Sequence, residues 1–215
     1  YLSKGIGLYY TLDKYGFKLS QPEDIFDLSY FRNTDPRPYF TLSREMINNE
    51  QNPKYRPTVA HKFIKALHDQ GLLLRCYTQN IDGLERMAHI PPEMLVEAHG
   101  TFSSASCIDC GKKFDVSTYV SPRIMNNEIP YCDRCNPNCE ASVPYRGLVK
   151  HDIVFFGEDL PDRFYEMSRL DFPAADLLIV MGTSMQVFPV AGLVHKVQPT
   201  VPRLLINMNA VGVFD

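Results

Sequence analysis

The stretch Leu72-Leu73-Leu74-Arg75-Cys76-Tyr77-Thr78-Gln79-Asn80-Ile81-Asp82 decides the fold class. Its first half, residues 72–77, is a short apolar run after Gly71 and predicts a buried strand. Its second half sets a hydroxyl, two amides and a carboxylate at the end of that strand. In an open α/β sheet, ligands bind in the crevice beyond the carboxyl ends of the strands. A second strand-like segment, residues 95–98, runs into Glu97-Ala98-His99-Gly100 and adds an imidazole. Imidazoles exchange protons near neutral pH.

Upstream, Thr58 reads as the cap of a helix whose Val59, Phe63, Ala66 and Leu67 recur at helical spacing, with Gly71 as its stop. Residues 37–48 read as a second helix with Phe40 and Met46 facing inward, and short helices are expected over 8–15 and 22–28. Downstream, a short helix over 84–89 ends at Pro91-Pro92. Residues 152–156 read as a strand and 161–170 as a helix with Pro161 in its first turn. Residues 175–181 read as a fully buried strand, as parallel sheets require, entering Gly182-Thr183-Ser184. A short helix over 190–196 and a last strand over 203–207 complete the pattern. Strands alternating with helices imply an α/β fold with a doubly wound parallel, Rossmann-like sheet. Residues 1–100 and 148–215 are assigned to that domain, with 1–57 partly a helical module covering substrate and cofactor. Residues 101–147, small, polar and Cys-rich, read as an inserted zinc-ribbon module.

The four cysteines of Cys107-x-x-Cys110 and Cys132-x-x-Cys135 lie 21 residues apart, pair to pair. Two such knuckles complete a thiolate tetrahedron, and a closed four-sulfur site makes the zinc structural. Cys139 is an alternative to Cys135 as the fourth ligand. Thiol ligation in an α/β chain points to a reducing compartment.

The chain has 215 residues, 45% hydrophobic and 22% charged, which is ordinary for a soluble domain. No apolar run approaches the ~20 residues of a membrane-spanning helix, and no secretory h-region opens the sequence. A net charge of −3 gives no general attraction to nucleic acid. The ribbon itself, from Thr101 to Lys150, carries six Lys/Arg against five Asp/Glu, so it is no basic stripe.

Taken singly, these residues also have plainer readings. A lone His99 is more often a hydrogen-bonded structural residue than a catalyst. Asp82 reads equally as the N-cap of the following helix. Gly182-Thr183-Ser184 suits phosphate or ribose binding through backbone N–H groups, as many βα turns do. Asn207 is ambiguous in the same way.

Together, however, Thr78-Gln79-Asn80-Ile81-Asp82, Glu97-Ala98-His99-Gly100, the two cysteine pairs, Asp152-Ile153-Val154-Phe155-Phe156-Gly157-Glu158 and Met181-Gly182-Thr183-Ser184 resemble the ordered signature of sirtuins, from about Gly7 to Asn207. The wording is most similar to the eukaryotic class I branch. The resemblance implies an NAD-dependent protein-lysine deacetylase acting on acetylated histones or tubulin in the cytoplasm and also the nucleus, with one structural zinc. It implies that Asn80, Ile81 and Asp82 hold the nicotinamide carboxamide and Gln79 its ribose. Gly182, Thr183, Ser184 and Asn207 would face the phosphates and adenosine ribose. Val154 and Phe155 would line an acyl-lysine tunnel, and Gly157 and Glu158 would pair with the substrate backbone, a strand-addition mode. Asn80 and His99 are the implied catalytic residues. The lysine amide oxygen would displace nicotinamide to give an alkylimidate, with His99 as general base on a ribose hydroxyl. The implied products are deacylated lysine, nicotinamide and O-acyl-ADP-ribose. No direct contact with nucleic acid or membrane is expected.

The sirtuin pattern also opens with a strand, a Gly-Ala-Gly-Ile-Ser loop and a Pro-Asp-Phe-Arg segment, and continues with a strand and helix after the position of Asn207. This sequence shows neither, and Gly5-Ile6-Gly7 has no strand before it. The expectation is therefore a chain truncated at both ends. The alternative reading is a non-catalytic acyl-lysine or zinc-ribbon binding fragment without the phosphate loop.

Overall fold

The computed structural model describes residues 16–17, 19–51 and 56–214. The helix expected over 8–15 lies outside the described residues. Seven strands form among them: β1 (Cys76–Thr78), β2 (Leu95–Glu97), β3 (Gly100–Cys107), β4 (Lys113–Phe114), β5 (Val149–Ile153), β6 (Leu178–Met181) and β7 (Arg203–Ile206). β1 pairs with β2 and β6 with β7, both parallel, while β4-β3-β5 is an antiparallel sheet. The chain forms two compact units. No helix among the described residues is long and apolar enough to cross a membrane.

One unit takes the described residues up to Arg56, Ile81–Gly83 and His99–Asp159. The expected helix over 37–48 is present as Arg37–Gln51 and buries Tyr39, Phe40, Leu42 and Ile47. The expected helix over 22–28 is instead a 3-10 turn, Pro22–Phe26, followed by a helix, Leu28–Asn33, capped by the Asp27 carboxylate accepting from the Tyr30 amide at 2.7 Å. Phe31, Tyr39 and Phe155 meet edge to face at centroid distances of 5.0–5.4 Å, the geometry ring quadrupoles favour. The strand expected over 152–156 is shifted and is antiparallel, not part of a parallel sheet. Cys107 pairs with Val149 and Ala105 with His151, which sets the register. In the apolar run Val154-Phe155-Phe156 that suggested a strand, only Phe156 pairs, in a parallel bridge with Asp27, its amide donating to the Phe26 carbonyl at 2.7 Å and its carbonyl accepting from the Leu28 amide at 3.1 Å.

The other unit takes Pro57–Asn80, Leu84–Ala98 and the chain from Leu160. Its helix Val59–Asp69 ends as the sequence predicts, at Gly71 with φ +69°. The Gly71 amide donates to His68 and the Leu72 amide to Leu67, both at 2.9 Å, a Schellman closure. That closure draws Leu72 into the helix end, so the strand expected from residue 72 begins only at Cys76. Leu72 is 73% and Val59 82% exposed, and no residue of this helix is buried, although its apolar residues recur at helical spacing. Strand β6 is likewise half-buried throughout and not enclosed, because its only described strand neighbour is β7. The helix expected over 161–170 runs from Asp162 to Ala174, and that over 190–196 is a 3-10 turn, Val190–His195. Val96, Ala98, Phe164, Phe172, Leu193 and Val197 form the main core here. Arg75 grips Asp171 through Nε at 2.8 Å and NH2 at 3.1 Å, and the Tyr77 hydroxyl donates to the same carboxylate at 2.6 Å. This ties β1 to the long helix.

His151 on β5 is wholly buried, with Nδ1 3.2 Å from the Tyr39 hydroxyl and its ring 4.7 Å from that of Phe102. Burial pushes its pKa from 6.5 down to about 4. The unfolded chain therefore takes up a proton near pH 6.5 that the folded chain resists until about pH 4. Its contribution is complete above pH 6.5 and declines as the pH falls toward 4, by roughly 3 kcal/mol in all. Urea unfolding followed by circular dichroism at pH 7.5 and 5 should show a smaller pH-dependent loss in His151→Leu than in the parent. Equal losses would contradict this account.

Candidate functional site

Within the first unit, the chain from His99 into β3 runs beside the end of β5. Gly100 has φ +80°, and a Cβ there would lie 1.9 Å from the Asp152 carbonyl oxygen. Only glycine permits that approach. One residue on, the Val154 amide donates to the His99 carbonyl at 2.9 Å. The proposed base and the first residue of the proposed substrate segment are thus joined backbone to backbone. Val154 is half-buried, and Gly157, at φ +95°, is exposed. Phe155 is 1% exposed, with its ring against Phe26, Phe31 and Tyr39. The Glu158 carboxylate accepts from the Phe155 amide at 2.8 Å and from Lys150 at 2.9 Å. Ile81 packs on this unit's core, and Asp82 is half-buried.

Within the second unit, three strand ends converge. Gln79, just past β1, donates through Nε2 to the Thr183 hydroxyl at 3.3 Å. Asn207, just past β7, donates through Nδ2 to the Thr183 carbonyl at 3.0 Å. Thr183 itself follows β6, and its hydroxyl also accepts from the Met185 amide at 3.1 Å. Gly182, at φ +59°, makes the turn, but its amide already donates to Ile206 at 3.1 Å, so it supplies conformation and not an open N–H. Ser184 is exposed. Asn80 is exposed, with its amide donating to the Thr78 hydroxyl at 3.1 Å, and that hydroxyl donates to the buried Glu85 carboxylate at 2.6 Å. Glu85 was not singled out in the sequence, where it reads as an ordinary helix-surface acid.

The four sulfurs of Cys107, Cys110, Cys132 and Cys135 lie within 4.8 Å of one another. Cys110 and Cys132 are 3.8 Å apart, close to the ~3.8 Å edge of a tetrahedron with ~2.3 Å zinc–sulfur bonds. Cys139, exposed at φ +53°, is outside this group, so Cys135 holds the fourth corner. The Lys112 amide lowers the Cys110 thiol to about 7, whereas hydrogen bonding with Cys110 pushes Cys135 up to about 12. Four thiols so close resist joint ionisation, and a dication removes that resistance. Buried Asn136 knits the following loop, donating to the Glu140 and Arg146 carbonyls at 2.8 and 3.1 Å.

The family model described as "Sir2 family" matches residues 1–189. The chain belongs to the Sir2 family. Among similar curated proteins is "NAD-dependent protein deacetylase sirtuin-2" of Danio rerio, 48% identical over 98% of this chain and 51% of its own length. "NAD-dependent protein deacetylase sirtuin-3" of Mus musculus is 46% identical over 99% of this chain and 58% of its own. "NAD-dependent protein deacetylase hst2" of Schizosaccharomyces pombe is 43% identical over 97% and 57%. The chain spans about half the length of the curated relatives it matches. As a Sir2 chain, it carries four thiols positioned for one structural zinc.

Metal analysis should find one zinc per chain in the parent and in Cys139→Ser, and little in Cys135→Ser. Loss of zinc from the Cys139 variant, with retention in the Cys135 variant, would reverse the ligand assignment.

Proposed function

We propose that the protein is an NAD-dependent protein-lysine deacetylase. The observation that carries this is the meeting of Gln79, Thr183 and Asn207 at the carboxyl ends of three strands, where an α/β sheet receives a dinucleotide. The names of the Sir2 relatives agree with it.

Bound NAD supplies an electrophilic ribose C1′ with nicotinamide as its leaving group. Gln79 and Asn207 present amides and Thr183 a hydroxyl suited to ribose oxygens, with Ser184 beside them and Gly182 shaping the turn. Asn80, Ile81 and Asp82 hold the nicotinamide end, and Thr78 fixes the Asn80 amide. His99 takes a proton from a ribose hydroxyl, a task suited to a neutral imidazole. Val154 contacts the lysine's aliphatic stem, with Phe155 supporting it from the core. Gly157 and Glu158 offer backbone groups to an extended substrate peptide. The proposed products are deacylated lysine, nicotinamide and O-acyl-ADP-ribose. Acetylated histone- or tubulin-type proteins are the proposed substrates. The proposed setting is the cytoplasm and nucleus, where thiols stay reduced as the four-cysteine site requires.

The full-length protein, given NAD and an acetyl-lysine peptide, should release nicotinamide and O-acetyl-ADP-ribose in equal amounts with deacetylated peptide. Absence of peptide-dependent nicotinamide release would overturn the assignment. His99→Ala should lower turnover by about a hundredfold or more while keeping zinc and the circular dichroism of the parent. Near-normal turnover would remove His99 as the base.

A further inference from the structure

Lys150 is the second residue of β5 and is 5% exposed. An ammonium so deeply enclosed is costly unless its donors are matched, and a shape-matched apolar residue is often at least as stable. Its matching is specific. Nζ donates to the Ile153 carbonyl at 2.6 Å, faces Glu158 Oε2 at 2.9 Å and lies 4.4 Å from the centre of the Phe155 ring. The same Glu158 oxygen accepts from the Phe155 amide at 2.8 Å, and the Glu158 amide returns to the Phe155 carbonyl at 3.0 Å. At the other end of this segment, the Val154 amide donates to the His99 carbonyl. One buried cation thus closes both ends of the segment 153–158. Burial pulls the Lys150 pKa down, and the Glu158 carboxylate opposes that fall.

We propose that Lys150 is a positioning residue for the acyl-lysine substrate, fixing the course of the chain from Val154 to Glu158 through the Ile153 carbonyl, the Glu158 carboxylate and the face of Phe155. This rests on the deacetylase reading, because the segment it fixes is the one assigned to the substrate. A merely structural lysine would lower stability and activity without distinguishing the two substrates. A positioning lysine moves one Michaelis constant and not the other.

The test is Lys150→Met in the full-length protein, with KM measured separately for acetyl-lysine peptide and for NAD, and amide hydrogen exchange measured across 153–158. The expected result is a peptide KM raised about tenfold, a small displacement being enough for that, with KM for NAD and zinc content unchanged. Exchange at the Phe155 and Glu158 amides should accelerate. If the methionine variant does not fold, Lys150→Gln, which keeps a neutral donor for Ile153, carries the same measurements. An unchanged peptide KM in an active, folded variant overturns the positioning role alone, as does an equal rise in both constants. A parent protein that releases no nicotinamide with peptide overturns the deacetylase reading itself.

Discussion

The contact on which the first unit depends is the close backbone approach at Gly100. Its left-handed conformation lets β3 pass under the Asp152 carbonyl, where any side chain would collide. Because the strands meet there, the Val154 amide reaches the His99 carbonyl. The imidazole-bearing residue and the segment ending at Glu158 are then joined backbone to backbone. Farther along the same strands, the register shifts by a bulge before Ala105 meets His151 and Cys107 meets Val149. The zinc knuckle therefore hangs on the opposite end of the strands that place His99 and Val154.

The second unit solves a different problem with polar side chains. Three strand ends are tied by hydrogen bonds from Gln79 and Asn207 to Thr183, so amides and a hydroxyl are gathered in one place. Preorganised groups lose less entropy when a ligand binds. Behind them, the buried Glu85 accepts from Thr78, which in turn accepts from the Asn80 amide. The charge of Glu85 is thereby connected to the polypeptide that carries Asn80.

The sequence made legible what depends on short-range chemistry. The C-x-x-C knuckles, the Thr58 and Gly71 helix boundaries and the polar strand ends at Gln79, Thr183 and Asn207 each follow from residue type and spacing. What it obscured depends on partners distant in the chain. Leu72 looks like the start of a strand, but its amide closes the preceding helix. Val154-Phe155-Phe156 looks like a strand, but Cys107 sets the pairing three residues earlier and leaves only Phe156 in an isolated bridge with Asp27. The partners of Lys150, the Glu158 carboxylate and the Ile153 carbonyl, are set by the folded chain and not by residue type or spacing. Resemblance to the sirtuin signature supplied roles that periodicity alone did not.

The most direct measurement is amide exchange in Gly100→Ala. The account predicts loss of protection at the Val154 amide and a fall in stability of more than about 1 kcal/mol, since alanine is strained at this φ and has no room. Zinc should be retained, because the knuckles lie at the far end of the strands. A Gly100→Ala protein with parental stability and a fully protected Val154 amide would contradict the account.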